Sequence, residues 1–277
     1  GAKFLSLVYV CFLMSSLVIV TGILHQLVKG YTAIDFEMYF YDLYLITLPD
    51  YIQLTMLAFF IHILVNKKFL GHVVAIGIWL AMFGIQIISQ LNYNMLFYGN
   101  NPDYRISDMN GFGHFKTPLM WFDIYWLALG AVLLILGNLL WNRGAESSFK
   151  SRIKVAKQRL NKFSIGGLVA FAFLWIASGA FIYYNVSVLN DYTTADEQEL
   201  QQVEYEKKYK QYEFAIQPTV TGVKVNVDIF PNERKTLAKG EFIIVNKSDQ
   251  PIDTLHLTSA SPINGAEMKV LTVDGEK

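Results

Sequence analysis

Charged residues are scarce in this sequence. Asp, Glu, Lys and Arg make up 17% of its 277 residues, against about 25% in an ordinary soluble domain. Hydrophobic residues reach 53%, and the mean hydropathy is +0.32. Because the apolar residues gather in runs of about 20, which is the length of a membrane span, the composition excludes a disordered chain, a collagen and a coiled coil, and it indicates a membrane protein.

Cysteine is almost absent. Cys11 is the only one, and it lies inside an apolar run, so no intramolecular disulfide can form. The chain also has no excess of either charge, since Lys plus Arg and Asp plus Glu both total 23. A net positive field that would attract nucleic acid is therefore excluded, and no nucleic-acid partner is expected.

Two catalytic motifs are missing as well. A zinc peptidase places His-Glu-x-x-His on a helix, so that two imidazoles bind the metal and the glutamate activates water. None of the five histidines is followed by glutamate. The glycine-rich loop ending in Gly-Lys-Ser/Thr, which cradles phosphates in many ATPases, does not occur either. We therefore predict no catalytic residue, bound zinc or other cofactor in this chain.

Five apolar runs are long enough to cross a bilayer, since at 1.5 Å per residue each helix would be roughly 30 Å long. They cover about residues 4–28, 44–65, 69–90, 119–141 and 164–186. The second run is interrupted by Pro49, and the aromatic segment 34–48 before it either lies along the membrane interface or belongs to the span. Residues 1–190 are thus predicted to form a membrane α-helical bundle.

Basic residues orient this bundle, because cytoplasmic loops carry an excess of Lys and Arg. Alternating spans leave three on one side, namely Lys29, Arg105 and Lys116. The opposite side has ten, namely Lys3, Lys67, Lys68, Arg143, Lys150, Arg152, Lys154, Lys157, Arg159 and Lys162. The sequence therefore predicts that the chain begins in the cytoplasm and that everything after Val186 lies outside. The basic link over residues 143–162 is interpreted as a topology signal that touches anionic headgroups.

A polar helix is predicted after the last span. Thr194 and Glu197 have the spacing of a capping box, which starts a helix over residues 195–213. One face of this helix carries three tyrosines, Tyr205, Tyr209 and Tyr212. Residues 191–217 are therefore either a free helical stalk or a helix that docks through its tyrosines onto a part of the protein that this sequence does not include.

From Val220 onward the hydrophobic period changes to two, which indicates β-strands. Strands are predicted over residues 223–229, 241–246 and 252–257, with a fourth candidate at 268–273. Residues 218–277 would then be the start of an incomplete antiparallel β domain. So short a segment has no evident way to close a core, and we expect the chain to be a fragment of a longer protein.

The loop over residues 98–114 is the most polar segment between spans. Arg105, Asp108 and His114, together with Asp103, form a candidate site for a metal or a substrate at the mouth of a pathway. The alternative is an ordered cap over the bundle, with turns at residues 100–102 and 110–111 and with Arg105 paired to an aspartate. The cap is the commoner use of such a loop.

Three titratable side chains within the apolar runs are costly to place in a membrane, and such residues usually face a bundle interior or water. His25 lies near a span end, and His62 lies nearer the cytoplasmic end of its span. Asp50 follows Pro49 and is expected to cap the helix that begins there. No continuous proton relay is predicted from these positions.

Five segments resemble the membrane-to-peptidase junction of a bacterial fusion family, in which an ABC-2-type permease and an M1-type aminopeptidase share one polypeptide. They are Asn185-Val-Ser-Val-Leu-Asn-Asp-Tyr, Tyr205-Glu-Lys-Lys-Tyr-Lys-Gln-Tyr-Glu, Val223-Lys-Val-Asn-Val-Asp-Ile-Phe-Pro, Gly240-Glu-Phe-Ile-Ile-Val-Asn-Lys-Ser and Ser107-Asp-Met-Asn-Gly-Phe-Gly-His-Phe. The resemblance covers essentially the whole chain.

The resemblance implies that residues 1–190 are the last spans of the permease, that 191–217 are a stalk, and that 218–277 open the N-terminal β domain of the peptidase. It also implies a multi-pass protein of the bacterial inner (plasma) membrane with a periplasmic C-terminal part, in a homo- or hetero-oligomer. A separate ABC ATPase subunit would hydrolyse ATP. The zinc ligands of the metallopeptidase would lie beyond Lys277, so no catalytic, cofactor or metal residue is carried over.

Two functions remain open. In the first, the spans take part in ATP-driven transport. In the second, they anchor a zinc aminopeptidase at the outer face of the inner membrane without transport. A polar face along several spans would favour transport, whereas the sequence shows only single polar residues such as Gln86, Ser89 and Gln90, which equally suit helix packing. The resemblance favours transport.

Overall fold

A computed structural model gives the fold of this chain. It describes residues 1–89, 93–107, 109–141, 148–190, 192–230, 235–257 and 272. The chain divides into two compact units, Gly1–Glu199 and Leu200–Lys277. The division falls inside the predicted stalk.

The first unit is helical. Its α-helices are α1 (Ala2–Val28), α2 (Phe36–Phe40), α3 (Leu48–Val65), α4 (Lys68–Ser89), α5 (Lys116–Leu140), α6 (Phe149–Arg159) and α7 (Lys162–Tyr183). The described part of this unit also contains two π-helical segments, Tyr41–Thr47 and Tyr184–Val188, and two 3₁₀ turns, Asn94–Leu96 and Gly113–Phe115. Among the described residues, five helical stretches are long and apolar enough to cross a membrane: Ala2–Val28, Phe36–Val65, Lys68–Ile88, Gly113–Leu140 and Lys162–Val188. Each corresponds to one of the apolar runs in the sequence.

The second span is longer than its apolar run. The helix is continuous over Phe36–Val65, so most of the aromatic segment 34–48 extends the span helix. Pro49 has no N–H and crowds the carbonyl four residues before it. The π-helical segment just ahead accommodates this defect, because the N–H of Leu48 bonds to the carbonyl of Leu43, five residues back instead of four.

Glycines bring α3 and α5 close together. A Cβ at Gly130 would lie 3.3 Å from Met56 Cβ and 2.9 Å from Tyr98 Oη, and a Cβ at Gly137 would lie 2.9 Å from Ile63 Cδ1. Met56 and Ile63 are seven residues apart on α3, as the two glycines are on α5, so the same faces meet again about two turns later. The two helices therefore run parallel in close contact.

Helix α7 also packs on α5, and the two helices run antiparallel. Residue 135 of α5 meets Gly167, and residue 125 meets Gly179. Their shared core is aromatic and lies toward the end of α7, with Phe122, Tyr125, Trp126 and Ile182 buried together. Helix α5 is thus the centre of the bundle, with α3 and α7 packed on it.

The basic link folds back onto the bundle through one buried arginine. Arg152 of α6 is 4% exposed, and its guanidinium donates to the carbonyl oxygens of Ile63, Leu64 (3.0 Å) and Leu140 (3.1 and 3.2 Å). These carbonyls end α3 and α5, where helical partners run out and the helix dipole is negative. Arg152 therefore joins two helix ends in addition to being one of the basic residues that predict topology.

Other basic residues gather at the same end of the bundle. Lys3 Nζ lies 5.3 Å from the ring centroid of Trp141, next to α5, and Phe59 of α3 packs between Trp141 and Phe4. The start of α1 therefore lies beside the ends of α3 and α5. We call this the Arg152 end, and we call the opposite end, which carries residues 93–107, the loop end.

Helix α8 (Ala195–Tyr209) begins with the predicted capping box. The N–H of Thr194 donates to Glu197 Oε2 (2.8 Å), and the N–H of Glu197 donates to Thr194 Oγ1 (3.2 Å). The hydrogen bond from the Thr194 backbone lowers the pKa of Glu197 below its ordinary value. The stabilisation from this cap is therefore fully present above the ordinary pKa of glutamate and is lost only as the pH falls through the lowered one.

The tyrosine face of the helix is present in part. The rings of Tyr205 and Tyr209 lie 4.7 Å apart. The α-helix gives way to a 3₁₀ turn at Lys210–Tyr212, where the Tyr212 ring contacts His256 at 4.3 Å. Tyr212 therefore packs on a residue of the same unit, and both interpretations of the stalk stay predictions.

The described part of the second unit contains two antiparallel strands, β1 (Thr219–Phe230) and β2 (Lys235–Val245). Both are longer than predicted, and the register shifts between Val220 and Gly222. The predicted third strand is wrong, because residues 251–257 have no regular structure. The N–H of His256 donates instead to the side chain of Gln217 (3.0 Å). Residues 231–234 between the two strands, and the fourth strand candidate apart from Thr272, lie outside the described residues.

The β segment is expected to be unstable alone. Nearly every residue of β1 and β2 is exposed, and an isolated two-stranded sheet is marginal in water. Expressed as residues 218–277, the segment should show poor amide protection and should aggregate. A piece that begins at residue 200 restores Tyr212 and Gln217, and it should protect the amide of His256 better. A cooperative thermal transition from monomeric 218–277 would contradict this prediction.

Candidate functional site

Polar side chains meet between α3 and α5, inside the helical bundle. Asp50 and Gln53 are three residues apart on α3 and so share a face, and Asp123 lies on α5. Gln53 is 0% exposed and Asp123 is 8% exposed, whereas Asp50 is half-buried. Gln53 Nε2 donates to Asp123 Oδ1 at 2.9 Å. Along the helix axes the aspartates lie roughly 22–26 Å from the Arg152 end, toward the loop end.

A residue of the loop completes the group. Asn101 Nδ2 donates to Asp50 Oδ1 at 2.6 Å and to Asp123 Oδ1 at 3.0 Å, so one amide nitrogen joins the two carboxylates. We call Asp50, Gln53, Asn101 and Asp123 the carboxylate cluster. Three separate parts of the chain build it, namely α3, α5 and the loop.

Two further hydrogen bonds hold the loop on the bundle. Tyr98 Oη donates to the backbone carbonyl of Gln53 (3.0 Å), and Trp126 Nε1 donates to the backbone carbonyl of Asn100 (3.0 Å). Burial raises the pKa of Tyr98, so its hydroxyl keeps the proton that it donates. Gly99 turns the chain between these anchors with a φ of 73°, in the left-handed region that favours glycine. The loop therefore lies directly on the cluster.

A hydrogen bond between a tyrosine hydroxyl and an aspartate lies beside the cluster. Tyr104 Oη donates to Asp42 Oδ1 at 2.6 Å. Burial and then this hydrogen bond to Asp42 raise the pKa of Tyr104, and Asp50 contributes through its nearby charge. A second polar pair therefore lies close to Asp50, toward the start of the second span.

The cluster contains more acceptors than donors. Gln53 Oε1 and Asn101 Oδ1 are buried and accept no hydrogen bond from the described residues. A buried acceptor without a partner costs about 1–3 kcal/mol, and it calls for an explanation such as a water or an ion. Chemically, the arrangement offers two carboxylates and two amide oxygens to a positively charged group.

The site residues chosen from the sequence lie elsewhere. Arg105, His114 and Asp103 are exposed, and Asp108 lies outside the described residues. The His114 ring rests on Phe115 at 4.1 Å, and among the described residues no hydrogen bond joins His114 to Arg105 or Asp103. The cap interpretation fits the described contacts better, because the anchors at positions 98–101 and the buried Phe112 pack on the bundle.

The expectation that Asp50 caps a helix is wrong. The helix continues through Pro49, so Asp50 lies in its interior and accepts from Asn101 instead. Asp123 was missed altogether, although a single acid in an apolar run is a signal that the sequence displays. The spacing of Asp50 and Gln53 was a second available signal.

Two histidines meet at the Arg152 end. The rings of His62 on α3 and His72 on α4 lie 4.4 Å apart, edge to face, and Gly71 leaves room because a Cβ there would lie 2.8 Å from His62 Cε1. Within the described ranges, no three His, Cys, Asp or Glu side chains are grouped closely enough to hold a metal ion.

Comparison with known proteins adds no relative: no family model, no curated protein and no solved structure matches this chain. Any function assigned to this chain therefore depends on its residues and on the resemblance of the five quoted segments.

Proposed function

We propose that this chain is the C-terminal membrane part of an ABC-2-type permease, joined to an extracytoplasmic M1-like aminopeptidase. Its spans would take part in ATP-driven transport while a separate ABC ATPase subunit hydrolyses ATP. Zinc would be bound by the peptidase part, and the membrane part would act within a homo- or hetero-oligomer in the bacterial inner membrane. The five segments that resemble this fusion family support the proposal.

The observation that carries the transport role is the carboxylate cluster. Asp50 and Asp123 occupy two apolar spans, where ionisable groups are expensive and usually serve a substrate or ion pathway. A helix bundle that only anchors another domain gains nothing from two acids that converge on one amide nitrogen. The cluster also lies at the loop end, where the loop that carries Asn101 can change position when a ligand binds.

Anchoring without transport is the alternative. One observation favours it: the carboxylate cluster is confined to one part of the bundle, while the cavity between α3 and α4 is lined mostly by apolar residues, among them Leu54, Leu57, Ile61 and Trp79. Neither the cluster nor this cavity therefore provides the long hydrophilic pathway that transport through one chain would require.

The encoding DNA provides the first test. We expect the reading frame to continue beyond Lys277 into a sequence with His-Glu-x-x-His, and a neighbouring gene to encode a P-loop ATPase. A frame that closes without the zinc motif would overturn the peptidase part, and a locus without an ATPase would count against transport.

The second test separates transport from anchoring. The full protein is reconstituted in lipid nanodiscs with its ATPase subunit, and ATP hydrolysis is measured for the wild type, Asp123→Asn and Asp103→Asn. Transport predicts that Asp123→Asn changes ATP hydrolysis, because the cluster is coupled to the ATPase, and that exposed Asp103→Asn does not. An anchor predicts equal hydrolysis in all three proteins.

The orientation is tested by reporter fusions. Basic residues divide ten to three across the spans, which predicts a periplasmic C-terminal side. Alkaline phosphatase, which folds only outside the cytoplasm, should be active when joined after Asp191. It should be inactive when joined after Asn66, at the Arg152 end. The reverse pattern would overturn the topology.

A further inference from the structure

The unmatched acceptors of the carboxylate cluster indicate a missing positive charge. Both aspartates converge on one neutral amide group, and no described Lys or Arg is bonded to either. Two buried oxygens in the same group, Gln53 Oε1 and Asn101 Oδ1, have no donor. Gln53 is fully buried, so bulk water does not satisfy its oxygen.

The position between the two carboxylates is held by Asn101. Its nitrogen reaches both acids, which is the geometry that a small cation bridging them would have. A half-turn of the Asn101 amide exchanges Nδ2 for Oδ1, and so replaces a donor by a third oxygen ligand beside the two carboxylates. The same exchange at Gln53 would supply a fourth oxygen.

We propose that the carboxylate cluster binds one hard cation, an alkali or alkaline-earth ion, through Asp50, Asp123 and the amide oxygens of Gln53 and Asn101. Such ions prefer carboxylate and carbonyl oxygen, and the site offers no nitrogen or sulfur ligand. The proposal deepens the transport function, and the role of the ion rests on that function. Ion binding itself is tested without it.

Exposure indicates how the ion enters. Asp50 and Asn101 are half-buried, whereas Gln53 and Asp123 are closed off. An ion arriving at the loop end meets Asp50 first, and waters on that side complete its coordination. Titratable neighbours on this side are Asp42 and Tyr104, which pair with each other. Because Asn101 belongs to the loop and would change from a hydrogen-bond donor to an ion ligand, we expect binding to reorder the loop.

The test uses the full chain in detergent micelles without ATP or partner subunits. NaCl, KCl, CaCl₂ and MgCl₂ are titrated in turn, with choline chloride as the control for ionic strength. The readouts are the apparent melting temperature and the fluorescence of tryptophan, since Trp126 donates to the loop next to Asn101. We expect a saturable change with one class of ion and none with choline. A response to sodium or potassium assigns an alkali ion, and a response to calcium or magnesium an alkaline-earth ion.

Matched variants assign the response to the cluster. Asp50→Asn and Asp123→Asn keep the side-chain shape while removing one charge, and each should raise the Kd about tenfold or more. Asp103→Asn, in the same loop but exposed, should leave the Kd unchanged. Size-exclusion profiles without added salt verify folding, and Asp50→Asn, at the half-buried position, remains informative if Asp123→Asn misfolds.

Two outcomes would overturn the cation site: no saturable response to any of the four salts, or an unchanged Kd in the folded Asp→Asn variants. If the chain binds the ion but the rate of ATP hydrolysis is the same for Asp123→Asn as for the wild type, the transport function alone is overturned. The two proposals can therefore fail separately.

Discussion

Replacing Arg152 by alanine is expected to lower the stability of the purified chain by about 3 kcal/mol or more, because hydrogen bonds to a charged donor contribute roughly 1.5–3 kcal/mol each. The substitution leaves the carbonyl oxygens of Ile63, Leu64 and Leu140 without their donor. It also removes the positive charge from the negative ends of two helices. Fluorescence-detected size exclusion after heating should show the loss as a lower apparent melting temperature.

Lys154→Ala is the matched control for Arg152→Ala. It removes the same charge from the same helix and the same side of the membrane, but Lys154 is exposed, so the melting temperature should hardly change. Arg152→Lys should fall between the two, since one ammonium cannot replace a planar guanidinium that reaches two helices. Equal melting temperatures for Arg152→Ala and Lys154→Ala would show that the arginine does not hold the helices together.

Replacing Gly130 by valine is the second change with a large expected effect. The side chain would enter the space of Met56 and of Tyr98 Oη, and overpacking of this kind costs about 1–3 kcal/mol or more. Because Tyr98 anchors the loop, the substitution should also disturb the carboxylate cluster. We expect a lower melting temperature and a changed tryptophan emission from Trp126.

Gly77→Val provides the comparison. Gly77 lies on α4, and nothing lies within 4 Å of a Cβ built there, so valine adds bulk to an open helix face. Its melting temperature should match that of the wild type. A Gly130→Val protein as stable as Gly77→Val would mean that α3 and α5 are not in close contact at this level.

The spans could be predicted from the sequence because the length and polarity of an apolar run depend on local residues alone. The sequence left segment 34–48 undecided between the interface and the span, because proline at position 49 usually ends a helix. There the π-helical segment Tyr41–Thr47 takes up the defect, a local geometry that residue types do not specify. Asp50 was misassigned for this reason. A residue that follows a helix break can cap the N–H groups of the next helix, whereas a residue inside a continuous helix finds no free N–H groups to cap.

The carboxylate cluster could be predicted only in part. Each of its acids is visible as a charge in an apolar run, yet their meeting depends on which face of α3 packs on α5. Glycines at 130 and 137 decide that face through close packing, and the position of Asn101 depends on the turn at Gly99. The strands show the same limit, because alternation marked β1 and β2 but also marked residues 252–257, whose backbone bonds to Gln217 instead.

Helices α3 and α5 are attached to each other along their whole common length. Arg152 joins their ends, glycines let them touch in the middle, and the carboxylate cluster links them near the loop end. We expect a pair so constrained to move as a single rigid body. A rearrangement of this bundle would then occur by sliding at its borders with α1, α4 or α7, and a probe placed between α3 and α5 would not detect motion along the α3–α4 border.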